Sequence, residues 1–220
     1  MIVEPVQAEG GDRHASNSFF RRLRDMALAY DVPFIADEVQ TGFGATGDVL
    51  WAHERWELDT PPDFVTFAKK AQCAGFFYRR GGDENGFNVR EPYRIFNTYL
   101  GALEKVLLMD AIHKVVVRER LLHRVTATGS FIVDGLESLG SDFPGRISNV
   151  RGIGTFIAFD AADDADRQRI FQGLKAHQVL VGMCGDVSIR LRPALTLTEE
   201  EGSLFLDALR FVLAETEKKE

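Results

Sequence analysis

The sequence contains few cysteines, no long apolar run and no recognisable set of metal ligands. Only Cys73 and Cys184 occur among its 220 residues, and neither belongs to a Cys-x-x-Cys pair or to a histidine-paired spacing. We therefore expect neither a disulfide framework nor a metal site, which fits a reducing compartment. No stretch of 18 apolar residues is present, so no membrane-spanning helix is predicted.

Positive charge is also scarce relative to negative charge. There are 26 Lys and Arg residues against 33 Asp and Glu, a formal net charge of −7, and no run of five or six like charges. This balance argues against nucleic acid or an anionic membrane as a partner. Hydrophobic residues make up 45% of the chain, enough for one large core or two modest ones. A globular protein that acts on small molecules is the favoured class.

The first residues look like the middle of a folded domain. Met1-Ile-Val3 has the character of a core strand and runs directly into Glu4-Pro5 without a cap, a turn or a leader. We therefore expect that an N-terminal part of the protein is missing from this chain.

The first half of the sequence alternates short strands with a helical pattern. Residues 17–30 repeat apolar side chains at helical spacing and predict an amphipathic helix. Two short apolar runs, 32–36 and 63–67, are typical of buried parallel strands, and residues 81–94 predict a surface loop. This order predicts a mostly parallel sheet with crossover helices. In such sheets, ligands bind near polar residues at the carboxyl ends of the strands.

The second half predicts a different architecture. Residues 101–139 form a long helical pattern that breaks near Glu119, and a turn is predicted at 138–145. Further strands are predicted at 148–159, 179–181 and 188–192, and further helices at 164–176 and 198–215. We therefore predict a first domain at residues 1–118, including the long connecting helix, and a small α+β domain at 119–220.

The stretch from Asp37 to Gly47, DEVQTGFGATG, contains the Gly-x-Gly-x-x-Gly spacing of dinucleotide-binding loops. Its context fits that function poorly, because four polar or capping residues separate the apolar strand from Gly42 and no clean amphipathic helix follows. A tight loop packed near another element is the preferred interpretation. A nucleotide site is the weaker alternative.

Five polar residues follow the predicted strands of the first half: Glu4, Glu9, Asp37, Gln40 and Lys69. A lysine placed in an apolar pocket can have a lowered pKa and act as a nucleophilic amine that forms a Schiff base. An aspartate at the neighbouring strand end could keep a pyridine nitrogen protonated. Each residue also has an ordinary explanation, since strand-end carboxylates often cap helices and lysines are usually solvated.

Six segments spread over the chain carry a family resemblance. They are IVEPVQAEGGD at 2–12, DEVQTG at 37–42, TFAKK at 66–70, PYRIFNTYLG at 92–101, GIGTF at 152–156 and CGDVSIRLRP at 184–193. In these segments and their order the chain resembles the class III (ω-) aminotransferases, and within them the 4-aminobutyrate branch. The resemblance implies the α/β fold of fold type I pyridoxal-phosphate-dependent transferases. The chain would form the C-terminal part of the large, mostly parallel-sheet domain and the small α+β C-terminal domain.

The resemblance also implies pyridoxal 5′-phosphate as the cofactor. Lys69, the first lysine of its pair, matches the residue that forms the Schiff base and then moves a proton on the substrate. Asp37 would face the pyridine nitrogen, Gln40 the ring hydroxyl, and Thr98 the cofactor phosphate from a partner subunit. A homodimer is therefore implied, with Thr98 acting in trans.

Members of this family handle two kinds of substrate in one pocket, and Glu9 and Arg190 match the pair that does so. With an ω-amino donor bound, Glu9 would neutralise Arg190, whereas with a 2-oxo acid bound the guanidinium would take the carboxylate. Arg192, two residues further along, is not expected to bind the substrate carboxylate. The implied reaction converts 4-aminobutyrate and 2-oxoglutarate into succinate semialdehyde and glutamate, with lysine 6- or ornithine aminotransferase activity as the alternatives.

Three further expectations concern this chain by itself. The family's phosphate-binding turn, ring-stacking aromatic residue and 4-aminobutyrate-binding arginine have no match in the sequence, so we expect the chain alone to bind cofactor weakly or not at all. A non-catalytic remnant that acts as an interaction module is the alternative from another class, although retention of the matched site residues argues against it. We expect an intracellular location, either the mitochondrial matrix or the cytoplasm.

Overall fold

The computed structural model describes residues 1–79, 91–96 and 101–217. The chain divides into two compact units. The first comprises Met1–Pro5, Ala15–Phe43 and Trp51–Glu119, and the second comprises Val6–His14, Gly44–Leu50 and Arg120–Glu220. The predicted domain boundary at residue 118 stays a prediction, since the second unit also contains two segments from the first fifty residues.

The described residues form ten strands, five α-helices and two short 3₁₀ helices. The strands are β1 (Ile2–Val3), β2 (Val6–Gln7), β3 (Arg13–His14), β4 (Ile35–Glu38), β5 (Phe64–Phe67), β6 (Gly75–Tyr78), β7 (Ile147–Ile153), β8 (Phe156–Ala161), β9 (Gly182–Cys184) and β10 (Ser188–Leu191). The α-helices are α1 (Asn17–Ala29), α2 (Leu103–Arg118), α3 (Leu121–Asp142), α4 (Asp164–Ala176) and α5 (Glu199–Glu217). Short 3₁₀ helices cover Ala52–Trp56 and Lys69–Ala71.

The first unit is built on a four-stranded sheet with the order β1-β4-β5-β6. Strands β1, β4 and β5 are parallel, and β6 pairs with β5 in the antiparallel direction. The predicted mostly parallel sheet is therefore confirmed. The first apolar run forms β4, which begins three residues and ends two residues later than predicted, so that Asp37 and Glu38 lie within the strand and pair with residues of β5.

Helix α1 packs the core of the first unit. It begins after Ser16, whose hydroxyl oxygen accepts a hydrogen bond from the Phe19 N–H at 3.2 Å, as expected of an N-cap residue. Phe20 on its buried face stacks on Trp56 with ring centroids 4.3 Å apart. The remaining buried members of this core are Ala27, Phe34, Ala36 and Val65. The amphipathic helix predicted at 17–30 is thereby confirmed.

The second unit contains an antiparallel sheet with the order β7-β8-β10-β9 and a two-stranded hairpin made of β2 and β3. Helix α3 packs against β7 and β8, and α5 packs against α3 and α4. Alternate residues of β8 and β10, such as Ile157, Phe159 and Ile189, are fully buried in the core beneath these helices. The intervening residues of the same strands point to the opposite face of the sheet, because side chains alternate along a strand.

Two predicted features of the second unit are wrong. The turn predicted at 138–145 starts later, because α3 continues to Asp142 and brings Leu136 and Leu139 into the core at helical spacing. The strand predicted at 179–181 is instead β9, three residues further along. Its position is set by pairing with β10, in which Arg190 lies opposite Gly182. Pairing thus overrides the β-propensity of the preceding valines.

The helical stretch predicted from residue 101 does break at Glu119, which separates α2 from α3. The loop predicted at 81–94 falls largely outside the described residues. None of the helices in the described part of the chain is long and apolar enough to cross a membrane.

Candidate active site

Asp37 has a carboxylate held in one orientation by its own strand and the next. It lies on β4 opposite Thr66 on the parallel strand β5. Its Oδ1 accepts hydrogen bonds from the Thr66 hydroxyl at 3.0 Å and from the Val39 N–H at 3.1 Å. Among the described residues both hydrogen bonds to Asp37 involve Oδ1, so Oδ2 is available to an N–H group of a ligand. The half-buried Gln40 follows in the turn after the strand.

Sequence reasoning missed Thr66 as an orienting residue. The signal that could have found it is the register of the parallel pair, because residues opposite each other on adjacent strands share a face of the sheet. A hydroxyl donor next to a carboxylate fixes the position of that carboxylate more firmly than a solvent contact would.

Glu38 is a second residue that sequence reasoning left without a role. Its side chain is fully buried and accepts hydrogen bonds from the His53 N–H at 2.7 Å and from the Thr41 hydroxyl at 2.8 Å, and His53 Nδ1 lies 2.8 Å away. Since it points to the face opposite Asp37, it cannot share a ligand with that residue. Glu38 instead fastens the chain on either side of the glycine-rich stretch to the end of β4.

Lys69 lies two residues beyond β5, at the first position of a short 3₁₀ helix. Its backbone is left-handed with φ 46°, and its carbonyl accepts hydrogen bonds from both the backbone and the side-chain amide of Gln72. The side chain is exposed. The apolar pocket assumed in the sequence argument is therefore not provided by the described residues of this chain, because the turn directs the lysine to the surface.

The three glycines after β4 serve close packing. A Cβ atom on Gly42 would lie 2.8 Å from the Glu38 carbonyl oxygen and from the Trp51 ring. In the second unit, Gly47 has φ 88° and packs against Thr126 of α3 so closely that a Cβ atom would lie 2.5 Å from its hydroxyl. These contacts favour the interpretation of the stretch as a tightly packed loop and not as a nucleotide site. The glycines are needed where the backbone approaches other side chains.

Glu9 and Arg190 form an ion pair in the second unit. The Arg190 Nη1 donates to Glu9 Oε1 at 2.7 Å. Burial by itself would lower the pKa of Arg190, but the hydrogen bond and the charge of Glu9 raise it above its ordinary value. The Arg190 side chain is 20% exposed and the Glu9 side chain is 72% exposed. The carboxylate can therefore leave the arginine at little cost, because it is already largely hydrated.

Small residues next to Arg190 make room for its side chain. Arg190, on β10, pairs with Ala158 of β8 on one side and with Gly182 of β9 on the other. A Cβ atom on Gly182 would lie 3.0 Å from the Arg190 Nε. The absence of a side chain on the partner strand thus lets the guanidinium lie across it towards Glu9.

Arg192 is held quite differently from Arg190. Its Nη2 pairs with Asp12, whose side chain is fully buried, and its guanidinium lies 3.3 Å from the centroid of the Phe156 ring. A guanidinium that is both paired with a buried carboxylate and stacked on a ring has a structural role. These contacts support the expectation that Arg192 does not bind the substrate carboxylate.

The predicted site residues are divided between the two units. Asp37, Gln40 and Lys69 belong to the first unit, and Glu9 and Arg190 belong to the second. Thr98 lies outside the described residues. The first group presents a carboxylate and an amine at the ends of adjacent parallel strands, and the second presents an arginine with a removable counter-ion.

Comparison with known proteins identifies the family. The sequence profile described as Aminotransferase class-III matches residues 1–213. The mitochondrial 4-aminobutyrate aminotransferase of Mus musculus is 45% identical over 98% of this chain, and the match covers 42% of that protein. Lysine aminotransferase from M. tuberculosis in the internal aldimine form superposes with a TM-score of 0.89 at 35% identity over 97% of this chain and 49% of its own. An ornithine delta-aminotransferase of Plasmodium falciparum gives a TM-score of 0.83 at 25% identity over 97% of this chain and 56% of its own.

The chain thus spans about half the length, or less, of the proteins it matches. Within that span the agreement is nearly continuous in both sequence and fold. The α/β fold expected from the sequence, that of the fold type I transferases, is confirmed by these neighbours. The chain belongs to the class III aminotransferase family.

Proposed function

We propose that this protein is a pyridoxal-phosphate-dependent aminotransferase that moves the amino group of an ω-amino acid, 4-aminobutyrate, to 2-oxoglutarate. The observation that carries the proposal is the pair of strand ends in the first unit, where the oriented carboxylate of Asp37 on β4 neighbours the strand that leads to Lys69. The family match and the 45% identity to a 4-aminobutyrate aminotransferase support the choice of reaction and donor.

The donor set of the first unit fits the proposed cofactor. Pyridoxal phosphate supplies an electron-accepting pyridinium ring and an aldehyde that condenses with amines. Asp37 Oδ2 would accept the N–H of the ring nitrogen and keep it protonated, while Thr66 fixes the carboxylate through Oδ1. Gln40, in the turn after β4, would bind the ring hydroxyl.

Lys69 would have two roles. Its amine would hold the cofactor covalently in the resting enzyme, and once released by the substrate amine it would carry the proton removed from the substrate carbon. The exposure of Lys69 fits an amine that must be reached by a cofactor. The expected weak cofactor binding by this chain alone follows from the same exposure, because no burial by the described residues would protect the bond.

Glu9 and Arg190 would adapt the site to both substrates. The amino donor carries no α-carboxylate, so Glu9 would remain on Arg190 and neutralise it. When 2-oxoglutarate binds, Glu9 would swing away and the guanidinium would bind the carboxylate by donating two parallel hydrogen bonds. The products expected from one full cycle are succinate semialdehyde and glutamate. The active assembly would be a homodimer, in which Thr98 binds the cofactor phosphate of the partner subunit.

The experiment uses chemical trapping, because trapping records even weak binding. The chain is incubated with increasing concentrations of pyridoxal phosphate, reduced with borohydride and mapped by mass spectrometry. We expect Lys69 to be labelled at lower cofactor concentration than Lys70. Asp37→Asn should lower the labelling of Lys69 several-fold without changing that of Lys70, and Lys70→Arg is the matched control that leaves Lys69 labelled. Equal labelling of the two lysines would contradict the proposal and favour a non-catalytic chain.

The second candidate donor is lysine, because the lysine aminotransferase of M. tuberculosis matches this fold with a TM-score of 0.89. Both donors present a primary ω-amine, and they differ in chain length and in the α-amino group that lysine carries at its far end. Consumption of 4-aminobutyrate, lysine and ornithine by the cofactor-loaded protein distinguishes the candidates. Preference for lysine would replace the donor in the proposal and leave the chemistry unchanged.

A further inference from the structure

Arg151 on β7 is bound to the hairpin that carries Glu9. Its Nε donates to the Asp12 carbonyl at 3.1 Å and its Nη2 to the Gly11 carbonyl at 2.6 Å. Both carbonyls belong to the turn between β2 and β3, within three residues of Glu9. The Arg151 side chain is 16% exposed. One guanidinium therefore fixes the backbone of the turn from the sheet beneath it.

Arg151 is itself held in place by its neighbours on the sheet. Its Nη2 lies 2.9 Å from Asp160 Oδ1 and 2.8 Å from the Ser188 hydroxyl, and its Nη1 donates to the Asn149 carbonyl at 2.6 Å. Burial alone would raise the pKa of Asp160, but hydrogen bonds from Ser188, Asn149 and Arg151 hold it below its ordinary value. The carboxylate is thus charged at neutral pH and keeps the guanidinium in this position.

Arg151 and Arg190 occupy one row of the sheet. Both pair with Ala158, Arg151 from β7 and Arg190 from β10. The hairpin turn is connected to the same face at a second point, where the Gly185 N–H donates to the Glu9 carbonyl at 3.1 Å. The Glu9 backbone is therefore fixed at its own carbonyl and again two and three residues further along.

The backbone and side chain of Glu9 are under opposite constraints. The backbone is fixed by Arg151 and Gly185, whereas the side chain is 72% exposed and its Oε1 accepts a hydrogen bond from Arg190 Nη1. Rotation about side-chain bonds can break this contact while every backbone hydrogen bond of the turn remains.

We propose that Arg151 is a positioning residue that holds the hairpin turn so that Glu9 rests on Arg190, and that Arg190 is released by rotation of the Glu9 side chain alone. The proposal rests on the function proposed for Glu9 and Arg190. It assigns Arg151 no contact with substrate or cofactor. Its effect on the site passes entirely through the position of the Glu9 backbone.

The first test measures binding of glutarate, an unreactive dicarboxylate, to the chain through the NMR signal of the Arg190 Nε–H. Glu9→Gln removes the competing carboxylate and should tighten glutarate binding up to about fivefold, the range of an exposed ion pair. Arg151→Gln should tighten it to a similar extent, because Glu9 then no longer rests on Arg190. Damage to the fold would weaken binding, so the direction of the change distinguishes positioning from a purely structural role. Unchanged or weaker binding in Arg151→Gln would overturn the proposal.

Two further variants sharpen this test. In the double variant Glu9→Gln with Arg151→Gln, glutarate affinity should stay within about twofold of that of either single variant, since both changes remove the same competition. Arg146→Gln is the matched control, because Arg146 is a similarly buried arginine whose guanidinium pairs with Asp166 and donates to the Leu213 carbonyl. It should leave glutarate affinity unchanged. Additive tightening in the double variant would count against the proposal.

Hydrogen exchange gives a readout that is independent of any ligand. In Arg151→Gln the Gly185 N–H should exchange at least about tenfold faster than in the Arg146→Gln control, because its acceptor on Glu9 becomes mobile. Equal protection in the two variants would overturn the positioning role even if glutarate bound as expected. Absence of glutarate binding in the unsubstituted chain would instead contradict the substrate role of Arg190, and the exchange rates would still decide the role of Arg151.

Discussion

At the scale of single residues, the arginines of the second sheet show how one side-chain type serves three purposes. Arg190 faces an exposed carboxylate, Arg151 binds backbone carbonyls, and Arg192 is paired with a fully buried Asp12. What differs among them is the burial of the partner. A partner in water can be exchanged for a substrate, whereas a buried carboxylate cannot be left unpaired without a large cost.

Loss of the Arg192 side chain should therefore destabilise the protein strongly. Arg192→Gln leaves the Asp12 carboxylate buried without its cation, and we expect the free energy of unfolding to fall by about 3 kcal/mol. Urea unfolding followed by circular dichroism measures this change. Arg210→Gln is the control, because Arg210 and its partner Asp142 are about half exposed and their pair should contribute less than about 1 kcal/mol. Equal effects of the two substitutions would show that Asp12 is not the buried anion described above.

The residues that sequence reasoning identified and those that it missed differ in kind. Asp37, Lys69 and Arg190 stand in recognisable motifs, and their chemistry is that of their own side chains. Thr66 and Arg151 matter because of what they touch. Arg151 lies about 140 positions from the carbonyls that it binds. No local pattern in the sequence records such a contact.

At the scale of secondary-structure elements, Asp63 connects four parts of the first unit. Directly before β5, it pairs with the buried Arg24 of α1 at 2.7 Å and accepts the Phe34 N–H at 2.8 Å, just before β4. It also pairs with Arg79, immediately after β6, at 3.1 Å. Burial alone would raise the pKa of Asp63, but the hydrogen bonds from Arg24 and Phe34 and the charges of Arg24 and Arg79 hold it below its ordinary value.

This lowered pKa predicts a loss of stability in acid. Because the folded value lies below that of the unfolded chain, the stabilisation is complete above about pH 3.9, the ordinary aspartate pKa, and is lost as the pH falls through the folded value. The Phe34 amide proton shift should titrate with a midpoint below about 3.9. The Phe19 amide, which donates to the Ser16 hydroxyl, is the control and should not follow this titration. A Phe34 midpoint at or above the ordinary value would refute the link.

The hairpin that carries Glu9 depends on one glycine of its Gly10-Gly11 pair. Gly11 has φ 109°, a conformation that other residues rarely adopt, although the surrounding space would accept a methyl group. Gly11→Ala should therefore destabilise the chain by about 1–3 kcal/mol through backbone strain. Gly10 has neither a positive φ nor a neighbour within 4 Å of an added Cβ atom, so Gly10→Ala should be nearly neutral. Thermal unfolding of both variants measures the difference, and equal midpoints would contradict the strain argument.

At the scale of the whole molecule, the second unit is assembled from three separate stretches of chain. Besides residues 120–220 it contains Val6–His14, which supplies Asp12 and Glu9, and Gly44–Leu50, which packs against Thr126 and Gly154. The polypeptide therefore passes repeatedly between the two units. A cut at the predicted boundary would remove from the second unit Asp12, the partner of Arg192, and the two hairpin carbonyls that Arg151 binds.

We expect residues 119–220 expressed alone to be much less stable than the same residues in the full chain. The buried amides of β8 and β10 should lose most of their protection against hydrogen exchange, because Arg192 loses Asp12, Arg151 loses two backbone acceptors and the face of the sheet is uncovered. Addition of a peptide covering residues 6–14 should restore part of this protection against hydrogen exchange. Equal protection of the isolated piece and the full chain would show that the small domain folds independently, as the sequence boundary predicts.

Periodicity and motifs in the sequence were sufficient to predict the helices α1 and α4, the mostly parallel first sheet and the family. These features depend on local side-chain patterns and on chemistry carried by single residues. The position of β9, the exposure of Lys69 and the separate duties of Arg151, Arg190 and Arg192 were decided only by the tertiary structure. The physical reason is that strand register, burial and the identity of an ion-pair partner depend on residues far apart in the chain, as the pairing of Asp12 with Arg192 illustrates.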